Sequence, residues 1–491
     1  MEHTTIRIEF GDVQNNAPDA HGVRSFKGIP FAAPPIGVLR WRPPHPVQKW
    51  QGVRSSTVFG KNAPQNILFS DIDPFAIGVS EDCLYLNVWT PADPYALMEL
   101  PVLFYIHGGG FAVGSGSEPR YNGARLAARG IVVITVNYRL NALGLLAHPA
   151  LTAETGSSGN FAELDLVAAL QWVKRNISTF GGNPDAVTIA GESAGSMYVS
   201  MLMASPLARG LFHRAIGESG AQFPSAERPM LLLREAEQQG LEFAAKLGAK
   251  TTAELRAISV EAILEAHPGI GFWPIVDGYF LKEKPVETFA RGQQADVPLL
   301  AGWNKDEGFN FNAMNWPPAK QGYEHLLKAL FGTKSQDVLS LYPAGKHVKN
   351  SARALGGDLV INHGTWAWIE SHRETAKSDI FRYRFDRAPN TPPGWFKKGA
   401  NAGAFHSCEI PYVLDNLDAF PWIVDAFDQK VADLAANYWV NFVKTGNPNG
   451  DGVPGWPSYR DNSRPTLFID VEPMIADDPD RPRQELLASQ L

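Results

Sequence analysis

The chain has 491 residues, 44 % of them hydrophobic and 19 % charged, which is enough apolar surface for a large folded core and excludes wholesale disorder. Its 44 basic and 51 acidic residues give a net charge of −7, and no basic run is present to neutralise a phosphate backbone, so no nucleic-acid partner is expected. No stretch reaches the roughly 18 to 20 consecutive apolar residues of a membrane span.

The opening MEHTTIRIEF lacks an apolar signal core, so the chain reads as cytoplasmic as written, with export after removal of a signal peptide left open. Glycines and prolines are scattered, with no low-complexity segment or repeat, and residues 1–491 read as one large domain. The proline-rich residues 30–50 cannot be regular helix or central strand and should wrap the surface in extended form, with Trp41 and Trp50 as packing anchors. Cys83 and Cys408 are the only cysteines; without framework spacing they read as buried small hydrophobes.

Continuous apolar runs at residues 101–106, 131–137, 186–190, 214–218, 298–303 and 380–385 predict the strands of a large, mostly parallel sheet of an α/β protein. Between the second and third, Leu166, Leu170, Val173 and Ile177 fall at helical spacing before the stop FGGNP, which completes a strand, helix, strand unit. Residues 228–267 and 323–376 carry helical periodicity and read as helical insertions beside the sheet.

The chemistry begins at GESAG, residues 191–195. It follows the strand-like AVTIA and precedes an apolar helix-like run, the setting of a strained turn that pushes a nucleophilic serine, Ser193, out of the crowded backbone. Upstream, IHGGGF ends a strand with three glycines. Its uncovered backbone N–H groups suit a developing oxyanion, with Gly109, Gly110 and Ala194 as donors and His107 as a structural residue. A serine of this type needs an acid and then a histidine further along the chain. PLLAGWNKDEG offers both Asp306 and Glu307, and the pattern does not choose between them. Of the later histidines, His406 in GAFHSCEIPY follows a strand and a glycine-containing loop, whereas His325, His347, His363 and His372 sit in helical or turn stretches. Phe111, Phe272, Trp273, Phe309 and Phe311 adjoin these motifs and are candidates to line a pocket for apolar, medium-sized esters.

FKGIPFAAPPIG, EDCLYLNVWTP, HGGGF, VNYRL, FGGNPDAVTIAGESAG, KDEG and FHSCEIPYVL occur in that order, and over most of its length the chain resembles the type-B carboxylesterase family, the carboxylesterase and cholinesterase branch of the α/β-hydrolases. In kind it is similar to the bacterial para-nitrobenzyl-esterase-like carboxylesterases. The resemblance implies an α/β-hydrolase fold with helical insertions over the active site, and a triad of Ser193, Glu307 and His406. It also implies supporting roles for Ser219 and Glu192, and buried ion pairs Arg40–Glu81 and Arg139–Asp165. Three departures stand out. The segment before EDC has neither a second cysteine nor a tryptophan, which argues against choline esters, since a quaternary ammonium is held by cation–π attraction. Asn141 replaces a common glycine after NYRL, and Leu166 replaces the glutamine of LDQ.

The expected activity is hydrolysis of a small-molecule carboxylic ester through an acyl-enzyme, with no cofactor and no metal. Hydrolysis of amides, carbamates or lactones by the same triad is the alternative. A recognition module on this fold is disfavoured by the complete triad. The sequence leaves oligomeric state open.

Overall fold

Side chains alternate across a strand, so an apolar run without alternation must bury both faces. In the computed structural model this splits each central strand between two cores: Val102, Phe104 and Ile106 point to one, Leu103 and Tyr105 to the other. The structure describes residues 4–69, 71–72, 76–91, 98–224, 229–309, 320–346, 348–396, 402–461 and 463–490.

Among these residues a small sheet joins β1 (Thr5–Ile8), β2 (Gly11–Gln14) and, after β3 (Arg24–Pro30) has entered the main sheet, β4 (Val53–Ser55). The main sheet continues with β5 (Tyr85–Thr90), β6 (Leu100–Ile106), β7 (Val132–Val136), β8 (Gly182–Glu192), β9 (Arg214–Glu218), β10 (Leu299–Asn304), β11 (Ile380–Phe385), β12 (Pro465–Ile469) and β13 (Met474–Asp477). Its order is β13-β12-β11-β10-β9-β8-β6-β7-β5-β3. Neighbours from β12 to β7 run parallel, and β13, β5 and β3 close the two edges antiparallel. The helices Phe161–Asn176 and Ala194–Ala204 cover one face, and Ala426–Thr445 the other.

All six expected strands are present, and the sheet is mostly parallel as expected. Strand β8 starts earlier than its apolar run because Gly182 pairs with Leu100 across a register shift. The edge strands carry no continuous apolar run. In β3 a register shift between Phe26 and Ile29 brackets Gly28, whose φ of 67° interrupts the pattern. After Pro30, which ends β3, residues 31–50 contain only the short turn Gly37–Leu39. Trp41 is buried with its indole N–H on the Ala142 carbonyl at 2.8 Å, and Trp50 donates to Asp12 O at 3.0 Å.

The first periodic segment forms helices Leu233–Lys246, Thr252–Ala257 and Val260–Ala266. The second forms Lys320–Phe331, Ser335–Leu341, Val348–Gly357 and His363–Thr375, with a π-helical turn at Asp358–Asn362.

Both ion pairs form as two-pronged contacts. Arg40 donates through Nε and Nη2 to Glu81, each at 2.6 Å, and Arg139 reaches Asp165 at 2.8 and 2.7 Å. Arg40 also donates to the Arg256 and Ile258 carbonyls, which ties the first helical segment to the N-terminal wrap. Asn141 has φ 50°, a conformation that glycine adopts freely and asparagine tolerates. It compensates by donating to Pro64 O at 2.9 Å and accepting the Leu143 N–H at 3.1 Å.

Leu166 is fully buried in the apolar core, while Glu163 of the same helix is buried with no hydrogen-bond partner for either oxygen in another described residue. Burial pushes the Glu163 carboxyl well above the carboxylate range, and the nearby Asp277 and Asp165 add to this against Arg139; its charge in turn disfavours ionisation of Tyr198 and Tyr138. Above about pH 4 the unfolded chain releases this proton while the folded chain keeps it, so stability falls as pH rises. Glu163→Gln should therefore raise the melting temperature more at pH 8 than at pH 5, by an amount equivalent to about 1–3 kcal/mol. Equal shifts at both pH values in calorimetry would contradict this account.

Candidate active site

Strands β6, β8, β9 and β10 end in register at one edge of the sheet: Ile106 lies beside Gly191, Glu192 beside Glu218, and Glu218 beside Gly302. The loops leaving these ends therefore converge, which places candidate groups from distant parts of the chain in one volume.

Ser193 sits between β8 and the helix Ala194–Ala204 with φ 55° and ψ −122°, a strained conformation for a residue with a side chain. Its N–H donates to Glu218 O at 2.8 Å and its carbonyl accepts the Met197 N–H at 2.9 Å, so both flanking elements hold the turn. A Cβ on Gly191 would lie 2.6 Å from the Gly195 carbonyl carbon, and one on Gly195 would collide with Ile106 O. Any side chain at these positions would force the helix away from the sheet.

The glycine loop after β6 abuts this turn. A Cβ on Gly108 would lie 3.2 Å from the Ser193 Cβ. Gly109 has φ 108°, and its carbonyl accepts the Ala112 and Val113 N–H groups, each at 3.1 Å, which folds the loop back on itself. Ala194 is the first residue of its helix, where N–H groups have no partner within the helix. His107 stacks on Tyr138 at 4.3 Å with Nδ1 2.8 Å from Gly108 O, and burial lowers its pKa to about 4.

Beyond β10 the two carboxylates separate. Asp306 exchanges two bonds with Ala404, its N–H donating to Ala404 O and its Oδ2 accepting the Ala404 N–H, each at 2.9 Å; it fastens the histidine loop. Glu307 is buried, with Oε2 2.6 Å from His406 Nδ1 and Oε1 accepting from Ser219 Oγ at 2.6 Å and the Asn304 N–H at 2.8 Å. Ser219, at the end of β9, also has positive φ, 54°, and its N–H is held by Gly302 O at 2.9 Å. The residues thus line up as Ser219–Glu307–His406 beside the Ser193 turn.

Sequence reading missed two further groups. Asn304, the last residue of β10, donates its side-chain amide to Phe405 O at 2.9 Å and to Glu409, so it links the acid to the histidine loop. Glu409 lies inside the FHSCEIPY motif, and its place three residues past the histidine was the available signal. With Glu192 and Glu218 it puts three more buried carboxylates around His406 and Glu307.

Burial raises Glu218 to about 8, helped by the charge on Glu409 and opposed by hydrogen bonds from Trp439 and Tyr105. Burial and Glu307 raise Glu409 to about 7. Glu192 lies 3.2 Å from His406 Nε2 and is driven well up by burial, with His406 opposing. Burial disfavours the His406 imidazolium, but Glu192 and Glu307 outweigh it and raise its pKa.

The aromatic candidates divide. Phe111 is fully buried and packs edge-on against Tyr198 at 4.9 Å and Trp273 at 5.0 Å, beside the glycine loop. Phe272 turns away to Phe243 and His267, and with Trp273 it lines a separate recess of about 210 Å³. Phe309 packs on Phe396 at 4.8 Å and, with Phe405, Ser407, Phe420 and Trp422, lines a cleft of about 360 Å³ against the histidine loop. Phe311 lies outside the described residues. Cys83 and Cys408 are free and buried. Among the described residues no group of His, Cys, Asp and Glu is arranged to hold a metal, and no helix is long and apolar enough to cross a membrane.

Comparison with known proteins identifies the family and the fold. The profile of the Carboxylesterase family matches residues 2–486. Para-nitrobenzyl esterase of Bacillus subtilis (strain 168) is 35 % identical over 512 residues, covering 99 % of each chain. Fumonisin B1 esterase of Sphingopyxis macrogoltabida is 37 % identical over 457 residues, covering 89 % of this chain and 82 % of that one. A solved PNB esterase superposes with a TM-score of 0.85 at 33 % identity over 99 % of both chains. A Geobacillus stearothermophilus carboxylesterase at pH 6.2 gives 0.84 at 31 %, covering 99 % of this chain and 100 % of that one. With an α/β-hydrolase sheet and homology along its whole length, the chain belongs to the carboxylesterase family and is a carboxylic ester hydrolase.

Proposed function

We propose that ester hydrolysis proceeds through a Ser193, His406 and Glu307 triad. Ser193 Oγ attacks the ester carbonyl while His406 takes its proton. The resulting oxyanion is met by the backbone N–H groups of Gly109, Gly110 and Ala194, and its collapse expels the alcohol, which leaves with the proton from His406. Water then attacks the acyl-enzyme by the same route and releases the acid. Glu307 orients the imidazole through Nδ1 and stabilises its charged form. Ser219 and the Asn304 N–H occupy the other Glu307 oxygen and keep it from rotating away. Glu192 stands at the opposite edge of the ring, 3.2 Å from Nε2. The observation that carries this reading is the 2.6 Å bond between Glu307 and His406, supported from Ser219 and converging on the strained Ser193 turn.

The substrate proposed is an uncharged ester with an aromatic or bulky apolar group. The cleft at Phe309, Phe405, Phe420 and Trp422 adjoins the histidine loop at Phe405 and Ser407, and most of its lining is aromatic, with Leu68, Asp71 and Ser407 as the other residues. An aromatic alcohol part also agrees with the name of the para-nitrobenzyl esterase relative.

Ser193→Ala and His406→Ala should each lower kcat by on the order of 10⁴-fold or more while leaving the circular dichroism spectrum unchanged. Hydrolysis of p-nitrophenyl esters from acetate to decanoate, with an organophosphate followed to its labelled peptide by mass spectrometry, checks this. Wild-type turnover in folded Ser193→Ala would end the proposal.

The pH profile gives a second check. Hydrolysis requires neutral His406, so activity falls below its pKa, and Glu307 is one of the charges that raise that pKa. Glu307→Gln should reduce kcat by on the order of 10³- to 10⁴-fold and shift the acidic limb of kcat/KM to lower pH. An unmoved limb would sink the assignment of Glu307.

A further inference from the structure

The turn that carries Glu307 rests on backbone rather than on side chains. Glu307–Phe309 forms one 3-10 turn packed against the end of the helix Val348–Gly357. A Cβ on Gly357 would fall 2.6 Å from the Gly308 nitrogen and 3.2 Å from the Glu307 Cβ, and one on Gly308 would collide with Arg353 O. The backbones at Gly308 and Gly357 therefore touch directly beneath the acid, and a shift of one is transmitted to the other.

The next residue, Asp358, opens the π-helical turn Asp358–Asn362, a feature that recurs at functional sites. Its carboxylate is 1 % exposed and is surrounded by donors. Tyr342 OH reaches it at 2.6 Å, Asn362 Nδ2 at 2.7 Å and Gln484 Nε2 at 2.9 Å, while Arg483 Nη1 lies at 3.5 Å. Gln484 and Arg483 belong to the final helix, Arg481–Ala488, whose Leu487 is buried among Tyr323, Leu327, Val338 and Leu355. Burying an apolar face would attach this helix. A buried carboxylate adds a desolvation cost that is offset only if its donors stay in place, so it fixes one geometry where apolar contact would tolerate several.

We infer that the C-terminal helix is a positioning element for ester hydrolysis: Gln484 and Arg483 clasp Asp358, the clasp holds Gly357 against Gly308, and this contact keeps Glu307 on His406. Gln484, Arg483 and Asp358 touch neither substrate nor the reacting atoms and act through Glu307, so the inference rests on Glu307 being the triad acid. Loosening the clasp lengthens the bond from Glu307 to Nδ1. His406 is then left facing Glu192 and Glu409 with less support from Glu307, its imidazolium is less stabilised, and the groups that bind the ester are undisturbed.

The test is steady-state hydrolysis of p-nitrophenyl butyrate by the full-length protein across pH. Gln484→Ala should lower kcat about 10-fold with KM essentially unchanged, and should move the acidic limb to lower pH, in the direction of the Glu307→Gln shift but smaller. Arg481→Ala, which breaks the surface pair with Glu485 on the same helix and leaves the Asp358 clasp in place, should leave kcat and the limb as in wild type. Asp358→Asn combined with Gln484→Glu restores one donor and acceptor across the clasp and should recover part of the loss.

Gly357→Ala keeps the clasp but pushes on Gly308, and should reproduce the kcat loss even if Gln484→Ala is too unstable to assay. Lower melting temperature with unchanged kcat and limb in Gln484→Ala, or unchanged kcat in Gly357→Ala, would overturn the inference. With Glu307→Gln run in parallel, a crippled Glu307→Gln beside a normal Gln484→Ala removes the clasp alone. A normal Glu307→Gln removes both the triad assignment and the clasp.

Discussion

The site depends on how closely the helix Ala194–Ala204 approaches β6. Glycines at 191 and 195 remove the Cβ atoms that would separate them, and only at that separation can Ser193 occupy φ 55° and ψ −122° with its backbone held by Glu218 O and Met197 N–H. A turn strained in this way persists because the surrounding structure over-determines it. Here the support comes from parallel pairing: β6, β8 and β9 end level, so the turn, the glycine loop and Ser219 are fixed by one set of ladder bonds. The glycine loop and Ser193, the proposed oxyanion donors and nucleophile, are therefore placed by the same backbone, and neither relies on a flexible side chain for its position.

A second constraint is electrostatic. Glu192, Glu218, Glu307 and Glu409 are all buried near one imidazole, an arrangement that would be costly if every carboxylate carried charge. Burial pushes Glu192, Glu218 and Glu409 toward the protonated form. Glu307 differs in its company, with Ser219 Oγ and the Asn304 N–H on one oxygen and His406 Nδ1 on the other. The four chemically identical side chains thus differ in the number and placement of the donors around each.

The helical segments outside the sheet contribute through contacts of this kind. Arg40 fastens the first segment to the N-terminal wrap by binding the Arg256 and Ile258 carbonyls. The second backs the acid through Gly357 and is itself held by the last helix through Asp358. Residues distant in sequence from Ser193 thus bear on its partners through short, directional contacts.

The sequence by itself determined the central sheet, the serine turn and the glycine loop, and pointed to His406 among the late histidines, because each is written in local order: an apolar run buried on both faces, small residues where backbones crowd, glycines where N–H groups must be bare. The edge strands were illegible because bulges and polar faces break their pattern, as Gly28 does in β3. Asp306 and Glu307 are adjacent carboxylates of equal standing in any local pattern, and the family resemblance, not the spacing, pointed to Glu307. Only the tertiary structure turned one toward Ala404 and the other toward His406. It alone separated Phe272 from Phe111 and Phe309, and brought Asn304 and Glu409 beside Glu307 and the histidine loop. Those assignments depend on which loops meet at the ends of β6, β8, β9 and β10, and that meeting is a property of strand order and register, which no short stretch of sequence contains.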